Sequence, residues 1–152
     1  MERSFPPATK ALACGVPGPV KNEATLGGIV VGGQPDAADV ARFGTIVNCR
    51  PDDEPGNVTA ELVQGTGIAY TSVPFTAETL TAEHIAAMRA ALDAATGPTL
   101  VHCQGGTRAA VAVAIVQAER AGGTAADVVA AVEGAGFEIA GRPYEAFISS
   151  YF

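Results

Sequence analysis

The residues best suited to chemistry lie in the stretch Leu100-Val101-His102-Cys103-Gln104-Gly105-Gly106-Thr107-Arg108. A short apolar run there meets a cysteine, two adjacent glycines, a hydroxyl and an arginine within six residues. The pattern reads as a buried strand, a tight loop, and a helix beginning at or near Arg108. A cysteine at the carboxyl end of a strand, facing a helix N-terminus, is placed to be a reactive thiolate. The free N–H groups and dipole of the helix favour negative charge there, and Arg108 adds to it. N–H groups turned inward around Gly105 and Gly106 make an anion nest. Gln104 and Thr107 complete the segment that would hold an anion, and Cys103 is placed to attack it. The alternative is a buried packing cysteine followed by an ordinary turn. The concentration of so many suitable residue types at one junction favours the chemical reading.

The elements that would position this stretch follow from the rest of the chain. Ile29 to Val31, Thr45 to Cys49, Ala69 to Val73 and Thr99 to His102 read as strands, with a further strand at about 20–25. Asp36 caps a short helix carrying Val40 and Phe43, stopped by Gly44. Thr59 to Gln64 is a second short helix. Thr81 is the N-cap of a longer one, with Leu80 and Ile85 as a hydrophobic staple and His84 exposed without a role. The helix from about Arg108 to Ala121 is apolar nearly all round until Gln117 and should be buried. Thr124 with Asp127 suggests a capping box, and Pro143 suits the first turn of a last helix. Strands alternating with helices imply an α/β fold: a mostly parallel sheet of four to five strands, with helices on both faces. Residues 1–20 read as an irregular arm and 21–152 as a single catalytic domain. In such sheets ligands sit beyond the carboxyl ends of the strands. The loops at 32–35, 50–57, 74–80 and 103–108 should therefore converge. They bring Gln34, Arg50, Asp52, Asp53, Glu54 and Glu78 toward Cys103.

Composition narrows the partners. The chain has 152 residues, 48% hydrophobic, with 9 Lys and Arg against 16 Asp and Glu. That is one globular domain with a net charge of −7, which argues against nucleic acid or an acidic membrane surface. No apolar run reaches the roughly 18 residues of a membrane span. Three cysteines (Cys14, Cys49 and Cys103) and no secretion signal suggest reduced thiols in a cytoplasmic protein. Neither the histidines nor the cysteines have metal-ligand spacing, so no metal or other cofactor is expected.

Several stretches together resemble a known family. They are Gly33-Gln34-Pro35, Ile46 through Glu54, Gly67 to Tyr70 with Val73-Pro74, and Gly97 through Arg108. In this order they resemble the phosphatase-like domain of beta-lactamase hydrolase-like proteins, itself similar to tyrosine and dual-specificity phosphatases. The resemblance implies a cysteine-phosphatase fold, with Cys103 as nucleophile and Arg108 as ligand of the equatorial oxygens. It covers about residues 26–120. Three departures accompany it. Four residues separate Cys103 from Arg108, where tyrosine phosphatases have five, and this shorter spacing matches rhodanese-like sulfurtransferases. Ala109 stands where a Ser or Thr normally follows the arginine. The loop 74–79 holds Glu78 but no Asp to serve as general acid.

The expected reaction is attack of the Cys103 thiolate on a phosphate monoester, aryl esters preferred, and hydrolysis of the phospho-cysteine by water. The substrate is a phosphorylated small molecule or a phosphoprotein. Asp53, Asp52, Glu54 and Glu78 rank almost level as proton donor, Asp53 first. Arg50 either braces the site through Glu54 or binds substrate. Gln34 and His102 are candidates for substrate contact, and His102 could equally support the loop from beneath. Two alternatives stand beside this one. The same cysteine could carry sulfur from a sulfur donor, or the loop could bind an anion without turnover.

Overall fold

The computed structural model describes residues 20–152. Cys14 and the expected arm lie outside the described residues except for Val20, which is buried in the core and so belongs to the domain. Five strands, β1 (Ala24–Leu26), β2 (Ile29–Gly32), β3 (Thr45–Asn48), β4 (Ala69–Ser72) and β5 (Thr99–His102), form one sheet in the order β1-β2-β5-β3-β4. Only β1 is antiparallel to its neighbour; β2, β5, β3 and β4 run parallel. The chain is therefore α/β with a mostly parallel sheet.

Side-chain alternation along the strands divides the core into two layers. Ile46 and Leu100 meet Val40, Phe43 and Val63 from the short helices α1 (Ala37–Val40) and α2 (Thr59–Val63). Val47, Val101, Cys49 and Cys103 face the opposite, larger layer. That layer is built on α3 (Ala82–Ala94), α4 (Thr107–Ala121), α5 (Ala125–Gly134) and α6 (Pro143–Tyr151). Helix α4 lies at its centre against β1, β2 and β5, with every residue from Ala109 to Val116 buried. A helix so uniformly apolar has no other stable place in water. It starts one residue earlier than expected, at Thr107, and ends in left-handed Gly122.

Three local features differ from the sequence expectation. The segment 20–23 is a turn and not a strand. Asn22 takes a positive φ of 54° and Glu23 N–H donates to the Val20 carbonyl at 2.9 Å. Strand β1 begins only at Ala24, and Gly27-Gly28, both at positive φ, close a two-residue hairpin onto β2. Two glycines adopt such a pair of angles without strain. Helix α1 stops at Val40, so Phe43 reaches the core from the turn that follows it. His84 is not idle: its Nδ1 accepts the Thr81 N–H at 3.0 Å, closing the N-terminus of α3. The capping box of Thr124 and Asp127 forms as the spacing predicts.

Because β2 to β5 are parallel, the segments that follow them leave the same edge of the sheet. The turn at 33–36, the loop 49–57, the loop 73–80 and the loop 103–106 share that edge.

Candidate active site

Cys103 leaves β5 on the α4 side, 1% exposed, at the floor of a cavity of about 310 Å³. The Gly106 N–H donates to Cys103 Sγ at 3.1 Å. Gly106 holds φ at 107°, and a Cβ there would lie 2.6 Å from the Phe137 ring. The turn that aims this N–H at sulfur therefore needs glycine. Gly105 has no such requirement, since its φ is not positive and its Cβ would meet nothing within 4 Å. Gln104, Gly105, Thr107 and Arg108 line the cavity with Cys103. The first N–H groups of α4 have no acceptor within the helix, so the cavity lies at an electropositive helix end. Ala109 is buried in the core, whereas Thr107 is one of the residues lining the cavity.

The loop is fastened from behind. Gln34 N–H donates to the Gln104 carbonyl at 3.1 Å, and Asn22 Nδ2 donates to the Gly105 carbonyl at 2.8 Å. A Cβ at Gly33 would come within 2.5 Å of the Gln104 carbonyl oxygen, so this approach of two backbones also needs glycine.

Beneath the loop a continuous chain of hydrogen bonds joins Arg108 to the backbone of Cys103. Arg108 Nη1 and Nη2 donate to Glu54 at 2.7 and 3.2 Å, and Nη1 also reaches the Phe75 carbonyl at 3.1 Å. Glu54 accepts from Arg50 Nε at 2.8 Å. Arg50 Nη1 donates to Gln34 Oε1, and Gln34 Nε2 donates to Thr59 Oγ1, each at 2.8 Å. Thr59 Oγ1 meets His102 Nε2 at 2.9 Å, and His102 Nδ1 meets the Cys103 carbonyl at 3.2 Å. A carbonyl only accepts, so Nδ1 carries the imidazole proton and Nε2 accepts from Thr59. Burial lowers the His102 pKa to about 4, with Arg50 and Arg108 adding to the effect, so the ring is neutral near pH 7.

This network shows where the structure places three of the expected residues. Arg50, Gln34 and His102 do not line the cavity with Cys103; they support it from below. Arg50 is 2% exposed, with every nitrogen committed: Nη1 also donates to the Gly56 carbonyl and Nη2 to that of Pro55. Of its two expected roles, bracing through Glu54 is the one observed. Glu54 is also unsuited to be a proton donor. Arg108, and after it Arg50, holds its carboxyl below the usual range, so it stays ionised. Asp52 and Asp53 sit exposed on the turn after β3, outside the cavity wall. Glu78 is exposed on the loop after β4, with its charge felt at Tyr144. No carboxylate lines the cavity among the described residues.

Cys49 directly follows β3, one residue beyond the Asn48–His102 pair as Cys103 is, and is wholly buried. Burial first, and then the charge of Cys103, pushes its thiol up, which keeps it a packing residue. No group of three or more His, Cys, Asp or Glu side chains able to hold a metal occurs among the described residues. No helix among them is long and apolar enough to cross a membrane.

Three residues of the cavity wall were not foreseen: Lys21, Arg142 and Tyr144. Lys21 lies on the unexpected turn before β1, and Arg142 and Tyr144 lie at the start of α6. In the sequence Pro143 marks a helix start there, and Tyr144, Phe147, Ile148 and Tyr151 at i, i+3, i+4 and i+7 mark its apolar face, without saying that the helix start reaches the cavity.

Comparisons with known proteins bear on the fold and the family. Two solved structures share the fold. P. aeruginosa TpbA has a TM-score of 0.68 at 23% identity, covering 86% of this chain and 84% of that one. The core catalytic domain of the S. cerevisiae PP-IP phosphatase SIW14, in complex with citrate, has a TM-score of 0.70 at 18% identity, covering 88% and 87%. Among curated proteins, a beta-lactamase hydrolase-like protein of Agrobacterium fabrum is 36% identical over 91 residues, which is 53% of this chain and 21% of that protein. Its counterpart in Xylella fastidiosa is 33% identical over 97 residues, 57% of this chain and 22% of that protein. The chain thus spans about a fifth of the length of these relatives. The family model for the phosphatase-like domain of beta-lactamase hydrolase-like proteins matches residues 28–120. That span runs from the hairpin through the Arg50–Glu54 brace and the Cys103 loop to the end of α4, and on this match the chain belongs to that family.

Proposed function

We propose that the domain is a cysteine-dependent phosphatase acting on phosphate monoesters. The observation that carries this reading is the sharing of one cavity by Cys103 and Arg108, with the Gly106 N–H on the sulfur. In the proposed reaction the Cys103 thiolate attacks phosphorus, an S–P bond forms and the P–O bond to the leaving group breaks. The loop N–H groups and the Arg108 guanidinium stabilise the equatorial oxygens as charge shifts onto them. Water then attacks the phospho-cysteine, releasing phosphate and returning the thiolate. Thr107, at the cavity wall, has the hydroxyl to assist that departure where Ala109 has none. TpbA has been solved with phosphotyrosine bound, which supports the reading by likeness of fold.

The lack of a carboxylate in the cavity wall favours aryl substrates, whose oxygen departs without a proton. Asp53 and Glu78 remain the proton donors proposed for slower substrates. The same lack favours a second reading, sulfur transfer, in which the Cys103 thiolate attacks the outer sulfur of a thiosulfate-type donor, the S–S bond to sulfite breaks as the persulfide forms, and no oxygen leaving group needs protonation. The four-residue spacing between Cys103 and Arg108 supports it too. One paired assay decides. Hydrolysis of p-nitrophenyl phosphate and transfer of sulfur from thiosulfate to cyanide are measured side by side, with Cys103→Ser as blank. Nitrophenol release above the blank, at a rate at least tenfold that for phosphoserine, is expected. Thiocyanate without nitrophenol establishes the sulfurtransferase. Neither product leaves an anion-binding domain.

A further inference from the structure

The acidic chain spends most of its cations on its own carboxylates. Among the described residues Arg42 pairs with Glu23, Arg89 with Glu119, and Arg120 with Asp93, while Arg50 and Arg108 share Glu54. The two remaining described cations, Lys21 and Arg142, have no carboxylate partner among those residues. They come from opposite ends of the described chain, yet both line the Cys103 cavity. Neither is needed to neutralise a buried charge, since both side chains are exposed.

A second observation points to the same place. Tyr144 is 1% exposed, lines the cavity, and its hydroxyl has no hydrogen-bond partner among the described residues. A buried hydroxyl without a partner costs free energy unless a ligand or water satisfies it. Burial, with the charge of Cys103 behind it, pushes the phenol up to about 12, so it keeps its proton for donation. The Arg142 guanidinium stands 5.2 Å from the Tyr144 ring centroid, which fixes the cation above the aromatic face. The turn carrying Lys21 is tied to β2 and to the loop, through Gly33 N–H to the Lys21 carbonyl at 2.7 Å and Asn22 to Gly105. The backbone that carries Lys21 and the guanidinium of Arg142 are therefore positioned by the fold.

A single phosphoryl group seated on the loop is met by Arg108 and the backbone, and it leaves these groups over. We infer that Lys21, Arg142 and the Tyr144 hydroxyl form a second anion subsite beside the Cys103 loop. The substrate is then a small molecule bearing a phosphate ester and a second phosphate or carboxylate. The cavity volume stands near the low end of the roughly 300–1,000 Å³ typical of small-ligand sites. This inference rests on the reading that the loop takes a phosphoryl group.

The test is calorimetric binding of orthophosphate and pyrophosphate to the Cys103→Ser protein, alone and with Lys21→Gln or Arg142→Gln added. Pyrophosphate offers a second phosphoryl group to the subsite, and orthophosphate does not. Pyrophosphate should bind at least tenfold more tightly. Each cation substitution should weaken pyrophosphate at least fivefold and orthophosphate less than twofold, and Arg142→Lys should recover part of the loss. Equal losses for both anions would reduce Lys21 and Arg142 to a general field and overturn the subsite. Absence of any preference for pyrophosphate would do the same. Hydrolysis of p-nitrophenyl phosphate, assayed with Cys103 intact, reads the phosphatase separately. If it fails while the pyrophosphate preference stands, the phosphatase reading falls and the subsite remains. If it succeeds while the preference is lost, only the subsite falls.

Discussion

Every nitrogen of the Arg50 side chain is held by the protein: Glu54, Gln34, Gly56 and Pro55 accept four of its five N–H groups. Removing Arg50 leaves Glu54 without one of its two cations and the Gly56 and Pro55 carbonyls without this donor. Arg50→Met should cost about 3 kcal/mol, the range for breaking a buried ion pair. Urea unfolding measures it. A loss under 1 kcal/mol would mean that Arg108 alone satisfies Glu54. Arg50→Lys should recover less than half, because one compact ammonium cannot reach the four acceptors that the guanidinium fork spans.

At the level of elements, sequence patterning succeeded where one period dominates. The uninterrupted apolar run of α4 left a single solution, and Thr99 to His102 matches β5 residue for residue. It failed at the turn 20–23, where Asn22 takes a left-handed conformation that its type permits without requiring. That failure hid Lys21 from the site. The paired glycines of the loop give a sharper contrast. They are adjacent and identical in sequence, yet only Gly106 has positive φ and a ring against its α-carbon. Gly106→Ala should destabilise by roughly 2–4 kcal/mol, from strained backbone and overpacking together. Gly105→Ala should stay within about 0.5 kcal/mol. Thermal unfolding of the two variants compares them directly, and similar losses would mean that the loop rearranges to absorb either side chain.

Across the whole molecule, the site and the stability of the fold meet at His102. The imidazole is neutral and buried, with a pKa of about 4 against 6.5 when exposed. Below pH 6.5 the unfolded chain therefore binds a proton that the folded chain refuses. The stabilising contribution is full above pH 6.5 and falls as the pH drops toward 4. At about 1.4 kcal/mol per pH unit the loss reaches about 2–3 kcal/mol by pH 4.5. Urea unfolding between pH 7 and 4.5 should show this slope, and His102→Asn should flatten it even if its stability at pH 7 is lower. An unchanged slope in the variant would assign the acid sensitivity to the carboxylates.

The fastening of the loop to its neighbours has a kinetic consequence. Gln34 and Asn22 hold the Gln104 and Gly105 carbonyls outward, and the close approach of Gly33 leaves little freedom to move. The ordering entropy of the loop is spent during folding, so an arriving anion meets donors already in place. Encounter then needs no preceding rearrangement, and differences among anions are expressed mainly in how long each stays.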